Sequence, residues 1–164
     1  MRIIVISDTH RNFANLEKIV TSHINNTDLF IHLGDGQYEV DMLLMKYPEL
    51  AGHFDYVCGN CDFNCIANDF LCRSVENHRI FATHGHKFNV KYSLSTIKAA
   101  AAENSCDIIL YGHSHQRFMS YKDGFYIMNP GSAAIPRDEN PPSYGVIDVT
   151  DNGVLMNIAN VDNL

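Results

Sequence analysis

The sequence predicts an α/β domain in which mixed β-sheets pack between helices. Its first half alternates apolar runs of strand length with stretches whose apolar residues recur at helical spacing. Its last third contains strand-like runs joined by turns that carry Gly and Pro, with no helix between them. The 164 residues are 46% hydrophobic and 19% charged, which excludes a disordered or coiled-coil chain. We therefore predict a single domain over residues 1–164.

The first half of the chain is predicted to alternate strands with helices. Residues 2–7 form a continuous apolar run, which is typical of a strand buried on both faces. Asn12 is placed to cap a helix that ends near Asn25. A second helical stripe, which contains Val40 and Leu43, should stop at Pro48, because proline disfavours helical backbone in the residue before it. Two further strands are predicted over residues 28–33 and 54–58.

The second half of the chain is predicted to contain one helix and a series of strands. The helix covers residues 91–105, which are rich in Ala and place Leu94, Ile97 and Ala101 on one face. The strands are predicted over residues 79–83, 107–111, 125–128, 144–149 and 155–159.

The charge and the absence of targeting patterns limit the partners. A formal net charge of −7 argues against binding nucleic acid or an anionic membrane by charge alone. No apolar run approaches the roughly 20 residues of a membrane helix, and the first residues predict a strand rather than a signal peptide. We expect a cytoplasmic protein that does not bind membranes, whereas the sequence leaves its oligomeric state open.

Potential metal ligands directly follow five of the apolar runs. The ends of these runs read Asp8-Thr9-His10, Gly34-Asp35, Gly59-Asn60, His84-Gly85-His86 and Gly112-His113-Ser114-His115. Ligands of open α/β sheets bind beyond the carboxyl ends of the strands, so these segments should converge. Carboxylates and imidazoles together suit Mn, Fe, Ni or Zn better than Cu(I). A carboxylate shared by two cations roughly 3.5–4 Å apart clamps a phosphate and activates water to a hydroxide.

In this order, the five segments resemble the motifs of the calcineurin-like metallophosphoesterase family, which are D-x-H, G-D, G-N-H-D/E, H and G-H-x-H. The chain looks most like the small, cap-less YfcE-like phosphodiesterases, and the resemblance runs from Ile3 to about Val149. It implies a four-layer αββα sandwich with the site at one edge of the paired sheets. It also implies a two-metal-ion phosphodiesterase that hydrolyses a small phosphodiester by attack of an activated hydroxide on phosphorus.

The resemblance also implies a role for each matching residue. Asp8, His10 and His115 would hold one metal; Asn60, His84 and His113 would hold the other. Asp35 would bridge the two metals, which we expect to be Mn²⁺, with Ni²⁺, Fe²⁺ or Zn²⁺ as alternatives. Of these seven residues, Asp35, Asn60, His84 and His113 are also expected to be catalytic. His86 is expected to lie beside the ligands, because the family's ligand is the histidine directly before Gly.

The third motif departs from the family. Cys61 stands where many relatives carry the histidine that donates a proton to the leaving oxygen. A thiol is a weak donor, so we expect esters with good leaving groups to be preferred. Asp62 is expected to be able to orient a histidine introduced at this position.

Several residues admit other interpretations. Cys58, Cys61, Cys65 and Cys72 form a cluster that could be a zinc or redox site, but Cys58 is expected inside a strand and the spacing lacks a second knuckle. His23 is expected on a helix flank and His32 in the core. A phosphomonoesterase is one alternative function. A non-catalytic scaffold is another, since the chain also resembles the retromer scaffold subunit, although that relative lacks the histidine of D-x-H.

Overall fold

Residues 1–164 are all described by the structure, a computed structural model. The strands are β1 (Arg2–Ile6), β2 (Leu29–His32), β3 (Phe54–Tyr56), β4 (Phe70–Val75), β5 (His78–Thr83), β6 (Ile108–Tyr111), β7 (Arg117–Lys122), β8 (Phe125–Pro130), β9 (Ser143–Thr150) and β10 (Gly153–Asn160). The α-helices are α1 (Phe13–His23), α2 (Gln37–Lys46) and α3 (Ser95–Glu103). Short 3-10 helices cover Pro48–Leu50, His86–Phe88 and Val161–Asn163. None of the helices combines the length and apolar composition needed to cross a membrane.

The strands form two mixed five-stranded sheets. The first has the order β10-β9-β1-β2-β3, with β1, β2 and β3 parallel and β9 antiparallel to both of its neighbours. The second has the order β4-β5-β6-β8-β7, with β5, β6 and β8 parallel and antiparallel strands at both edges. The prediction of mixed sheets is confirmed.

Alternate residues of β1 face two different cores. Ile3 and Val5 pack between the two sheets against Ile80 and Leu110, because successive side chains of a strand point to opposite faces. On the other face of the first sheet, Ile4 and Ile6 pack under helices α1 and α2. A third cluster lies between α3 and the outer face of the second sheet. These layers confirm the αββα sandwich.

The predicted helices occur, with some changes of length. The Asn12 side chain accepts a hydrogen bond from the backbone N–H of Asn15 at 3.0 Å, so the predicted cap of α1 is confirmed. Helix α2 ends at Lys46, just before the Tyr47-Pro48 pair. Helix α3 begins at Ser95 rather than at residue 91, because the 3-10 helix and turns occupy the preceding segment.

Strands β4 and β7 were absent from the sequence prediction. Both lie at edges of the second sheet, and most of their side chains are exposed or half-buried. Without one buried face, an edge strand has no strong alternation of apolar and polar residues. Strand β3 ends at Tyr56, so the prediction that Cys58 lies inside a strand is wrong.

Candidate metal centre

The ends of five strands bring the predicted ligands to one edge of the sandwich. Asp8, Asp35 and Asn60 follow β1, β2 and β3 in the first sheet, whereas His84 and the His113–His115 segment follow β5 and β6 in the second. Backbone hydrogen bonds tie the loops together, from Asp8 N to Gly34 O at 3.1 Å and from Gly112 N to His84 O at 3.0 Å. The predicted convergence is therefore confirmed.

Several of these side chains stand on unusual backbone. Asp8, His10, Asp35, His113 and His115 all have positive φ angles, between 41° and 66°. Residues other than glycine adopt this region uncommonly, and clusters of such residues are found at active sites, where the surrounding structure holds them. The local conformation therefore serves to aim the side chains inward.

Asp8, His10 and His115 form a compact group, which we call the Asp8 set. The backbone carbonyl of Ile135 accepts a hydrogen bond from His115 Nδ1 at 2.7 Å. This bond turns His115 Nε2 toward the site, where it lies 3.1 Å from Asp8 Oδ1 and 3.1 Å from His10 Nε2. Asp8 Oδ1 is buried and has no hydrogen-bond partner. Such an orphaned carboxylate oxygen facing two imidazole nitrogens fits a cation ligand.

Hydrogen bonds and charge keep Asp8 ionised. Burial alone would favour the neutral acid, but the nearby imidazoles of His10 and His115, together with the charge of His84, outweigh it and hold the pKa of Asp8 far below its usual value. Asp8 Oδ2 accepts hydrogen bonds from Ser7 Oγ and from the backbone N–H of His113.

Asn60, His84 and His113 form a second group, the His84 set. His84 is fully buried, and its Nδ1 donates to the Leu33 carbonyl at 2.8 Å. Its Nε2 therefore faces the site, 3.0 Å from Asn60 Oδ1. The ring of His113 lies 5.0 Å from the ring of His84. Burial and the charges of His84 and Lys91 lower the pKa of His113 to about 4, which favours the neutral imidazole that binds metals.

Asp35 lies between the two sets. Its Oδ2 is 3.7 Å from His10 Nε2 and 3.4 Å from His84 Nε2. Its Oδ1 accepts a hydrogen bond from the backbone N–H of Cys61 at 2.7 Å. Burial opposes ionisation of Asp35, but the bond to His84 prevails and lowers the pKa of Asp35 to about 2. One ionised carboxylate thus faces an imidazole of each set.

The side chains present fit divalent cations. Three groups have all their ligand atoms within 4.8 Å of one another: Asp8–His10–His115, Asp8–Asp35–His84 and His10–Asp35–Cys61. The first two contain only carboxylates and imidazoles, the ligand types of Mn, Fe, Ni and Zn. Asp8, His10 and Asp35 each belong to two groups, so the three clusters overlap.

The Asp62 carboxylate accepts three backbone hydrogen bonds from the loops around it. Its Oδ2 accepts hydrogen bonds from the backbone N–H groups of Asp35 and Gly59, both at 2.8 Å, and its Oδ1 accepts one from Gln37 at 3.0 Å. These bonds fasten the loop after β3 to the loop after β2. Oδ1 accepts only one of these bonds, so the expectation that Asp62 could orient a histidine at position 61 stays a prediction.

Cys61 and His86 lie beside the two ligand sets. Cys61 is exposed, and its Sγ is 3.2 Å from Asn60 Nδ2. Partial desolvation at the edge of the site and the nearby Asp35 raise the pKa of Cys61 to about 11, so the thiol is protonated at neutral pH. The ring of His86 lies 5.4 Å from that of His84, and its buried Nδ1 has no hydrogen-bond partner.

The cysteine cluster forms a disulfide instead of a zinc site. Cys58 is bonded to Cys65, which closes the loop that carries Asn60 and Cys61. Two of the four thiols are thereby removed as zinc ligands, so the four-thiolate alternative is excluded. The expectation that His32 lies in the core is confirmed: His32 is buried, and its Nε2 lies 3.1 Å from Thr9 Oγ1.

Sequence reasoning missed the buried polar residues that support the ligands. Ser132 Oγ donates to the backbone carbonyl of Asp8 at 2.7 Å. Asn129 donates to Gly112 O and to Ser114 Oγ, and so holds the loop between β6 and β7. The Asn129-Pro130-Gly131-Ser132 turn in the sequence was the only available signal for these supports, because their partners are distant along the chain.

Comparison with known proteins agrees with this geometry. The family model described as a calcineurin-like phosphoesterase superfamily domain matches residues 1–152. Phosphodiesterase YfcE of Escherichia coli strain K12 is 38% identical, with 97% of this chain and 92% of that protein covered. A predicted phosphoesterase from Streptococcus pneumoniae TIGR4 has a TM-score of 0.86 at 26% identity, covering 98% of this chain and 90% of that one.

A second solved structure shows the likeness of the fold alone. Vacuolar Protein Sorting 29 from Cryptosporidium parvum has a TM-score of 0.74 at 16% identity, with 96% of each chain covered. The named relatives confirm the predicted class, a metal-dependent phosphoester hydrolase. On its motifs, its fold and the match of its first 152 residues, the chain belongs to the calcineurin-like phosphoesterase superfamily.

Proposed function

We propose that this protein is a two-metal-ion phosphodiesterase that hydrolyses a small phosphodiester. The observation that carries the proposal is the position of Asp35, whose Oδ2 faces His10 of the Asp8 set and His84 of the His84 set. A carboxylate between two groups of ligands is what a pair of cations sharing one ligand requires. YfcE, the 38% identical relative, is named a phosphodiesterase, which supports the same class of substrate.

The chain's own residues would hold the cations and keep them in place. The Asp8 set would bind one cation, the His84 set the other, and Asp35 both. When bound, such cations act as Lewis acids that lower the pKa of water and neutralise charge on a phosphoryl group. The Leu33 and Ile135 carbonyls fix the tautomers of His84 and His115, so that Nε2 of each ring stays free to bind. Asp62 holds the Asp35 and Asn60 loops at a constant separation.

The residue at position 61 favours diesters with good leaving groups. The Cys61 thiol, with its raised pKa, is a weak proton donor to a leaving oxygen. A phosphomonoesterase in this family would gain more from a strong donor at that position. The leaving group must depart largely unprotonated, so its own acidity should govern the rate.

A non-catalytic scaffold is the second candidate, because the fold likeness to Vacuolar Protein Sorting 29 extends over nearly the whole chain. This likeness supports the scaffold only weakly, because similarity at 16% identity shows a shared fold and not a shared function. In this chain both D-x-H residues are present and face each other within the Asp8 set, with His10 Nε2 3.7 Å from Asp8 Oδ1. Because no residue of the Asp8 set is missing, the enzyme is favoured over the scaffold.

The test is hydrolysis of matched chromogenic esters. Purified protein would be loaded separately with Mn²⁺, Ni²⁺, Fe²⁺ and Zn²⁺ and assayed with bis(4-nitrophenyl) phosphate and 4-nitrophenyl phosphate. We expect kcat/KM for the diester to exceed that for the monoester with at least one metal. A preference for the monoester would replace the diesterase by a monoesterase. If neither ester were turned over with any of the four metals, the non-catalytic scaffold would be the remaining candidate function.

A further inference from the structure

A pocket of about 710 Å³ opens beside the metal centre. His10 and Asp35 line it on the side of the centre, and Cys61 and Asp62 line it on the side of the β3 loop. A group attached to a phosphorus atom at the metal centre therefore has direct access to this space. Its remaining lining comes from the start of α2 and from Arg11 and Phe63.

Two aromatic side chains line this pocket and remain largely exposed. Tyr38 is 68% exposed and Phe63 is 87% exposed. Single exposed aromatics are ordinary on protein surfaces, but two that line one pocket next to a reactive centre provide a stacking surface. We call this space the Tyr38–Phe63 pocket.

The two aromatic residues are tied to the backbone of the metal centre. Tyr38 directly follows Gln37, whose backbone N–H donates to Asp62 Oδ1 at 3.0 Å. Phe63 directly follows Asp62, which also accepts the N–H of Asp35. The rings are thus carried by two segments that hydrogen-bond to each other and to the loop of Asp35. This arrangement reduces the ordering that binding would require.

The charges of the lining select against an anionic ring. Glu39, Asp41 and Asp62 line the pocket together with a single cation, Arg11. Glu39 is only 2% exposed and accepts the backbone N–H of Arg11. A second phosphate or a carboxylate on the bound group would enter a lining in which carboxylates outnumber cations, so like-charge repulsion disfavours it. An uncharged or cationic ring would meet no such repulsion.

We infer that the Tyr38–Phe63 pocket binds one ester arm of the substrate, an aromatic ring that is uncharged or cationic and carries no further anionic group. The inference rests on the proposed function, since it takes the phosphoryl group to lie at the metal centre. It narrows the substrate class to aryl-type or nucleoside-type phosphodiesters with a single phosphate.

The test measures binding without turnover. Three diester analogues would be titrated calorimetrically into Mn²⁺-loaded protein: the monoanions methyl methylphosphonate and methyl phenylphosphonate, and the dianion methyl (4-carboxyphenyl)phosphonate. Each presents the same phosphoryl head; the P–C bond is not hydrolysed, and methoxide is too basic a leaving group for the remaining ester bond to be cleaved during the titration. We expect the phenyl compound to bind about tenfold more tightly than the methyl compound, which corresponds to about 1.4 kcal/mol. The carboxylate should remove most of that gain.

Single variants locate the effect. Tyr38→Ala and Phe63→Ala should each reduce the phenyl-over-methyl ratio to about twofold or less, while affinity for the methyl compound stays unchanged and reports an intact centre. Tyr92 is 90% exposed and lies outside the pocket lining, so Tyr92→Ala is the matched control and should keep the full ratio.

The outcomes separate this inference from the proposed function. If the methyl and phenyl compounds bind equally, or if the ratio survives in both pocket variants, the aromatic subsite is overturned while phosphoryl binding stands. If the carboxyphenyl compound binds more tightly than the phenyl compound, the charge selection is overturned. If none of the three binds, the proposed function fails and the subsite fails with it.

Discussion

The two ligand sets are drawn from strands of both sheets, yet they differ in how tightly they are built. In the Asp8 set, all three ligand atoms lie within 4.8 Å of one another, and Asp8 and His115 are buried. In the His84 set only His84 is buried, whereas Asn60 is exposed and His113 is half-buried. His113 belongs to none of the three compact ligand groups.

The more compact and buried set is the candidate cation site whose ligands are already in place before binding. Ligands that are already fixed lose little conformational freedom on binding, so more of the interaction energy remains as affinity. We therefore expect the Asp8 set to bind its cation more tightly than the His84 set. Asp35, which faces both sets, should be the one residue whose loss affects them equally.

Asp35→Asn should have the largest effect. Losing the shared carboxylate removes one charged ligand from both sets, and we expect diester hydrolysis to fall more than about 100-fold, beyond the 10–100-fold typical of a residue that only supports a ligand. Elemental analysis should show that both metals are depleted, while circular dichroism shows an intact fold. Retention of both metals would remove Asp35 from the bridging position.

His115→Ala and His113→Ala should separate the two sets. Calorimetric titration of the metal-free protein with Mn²⁺ should give a tighter and a weaker step. His115→Ala should abolish the tighter step, because the Asp8 set loses a prefixed imidazole, and His113→Ala should abolish the weaker one. If both variants weakened the same step, the division into two sets would be wrong.

His84→Ala and His86→Ala test which histidine of the His-Gly-His segment binds metal. His84 has its Nδ1 fixed and its Nε2 directed at Asp35 and Asn60, so His84→Ala should lower the occupancy of one metal at saturating Mn²⁺. His86→Ala should keep both metals and change the rate or its pH profile. Rates alone are a poor guide, since a supporting residue can also cost about 10–100-fold. The opposite occupancies would exchange the two roles.

Cys61→His should have the smallest effect on hydrolysis, and this effect should be an increase in rate. A histidine there would supply a stronger proton donor, and Asp62, which already accepts three backbone N–H groups, has one acceptor position left on Oδ1 to orient it. We expect about tenfold acceleration of esters with basic leaving groups, below the roughly 10²–10⁴-fold of a well-placed general acid. A plot of log rate against leaving-group pKa should become flatter. A parallel shift of the plot at unchanged metal content would show that position 61 does not serve the leaving oxygen.

The order of the motifs along the chain predicted most of the fold and the membership of the site. A continuous apolar run followed by a ligand residue is a local pattern, and parallel strands bring such ends to one edge whatever the intervening helices are. Asp8, Asp35 and His84 could therefore be grouped from the sequence, although β4 and β7 could not be recognised. The two edge strands lack one buried face, and the apolar pattern that identifies a strand depends on such a face.

The local sequence was enough to predict the type of each candidate ligand and the strand that precedes it, because both depend on neighbours along the chain. The contacts that each side chain makes with distant parts of the chain became visible in the tertiary structure alone. Asp62 is tied to Asp35 and Gln37 across more than 20 residues, Cys58 is bonded to Cys65, and Tyr38 and Phe63 line one pocket. Such pairings follow from how loops of different strands pack at the sheet edge, and no local pattern of residues encodes that packing.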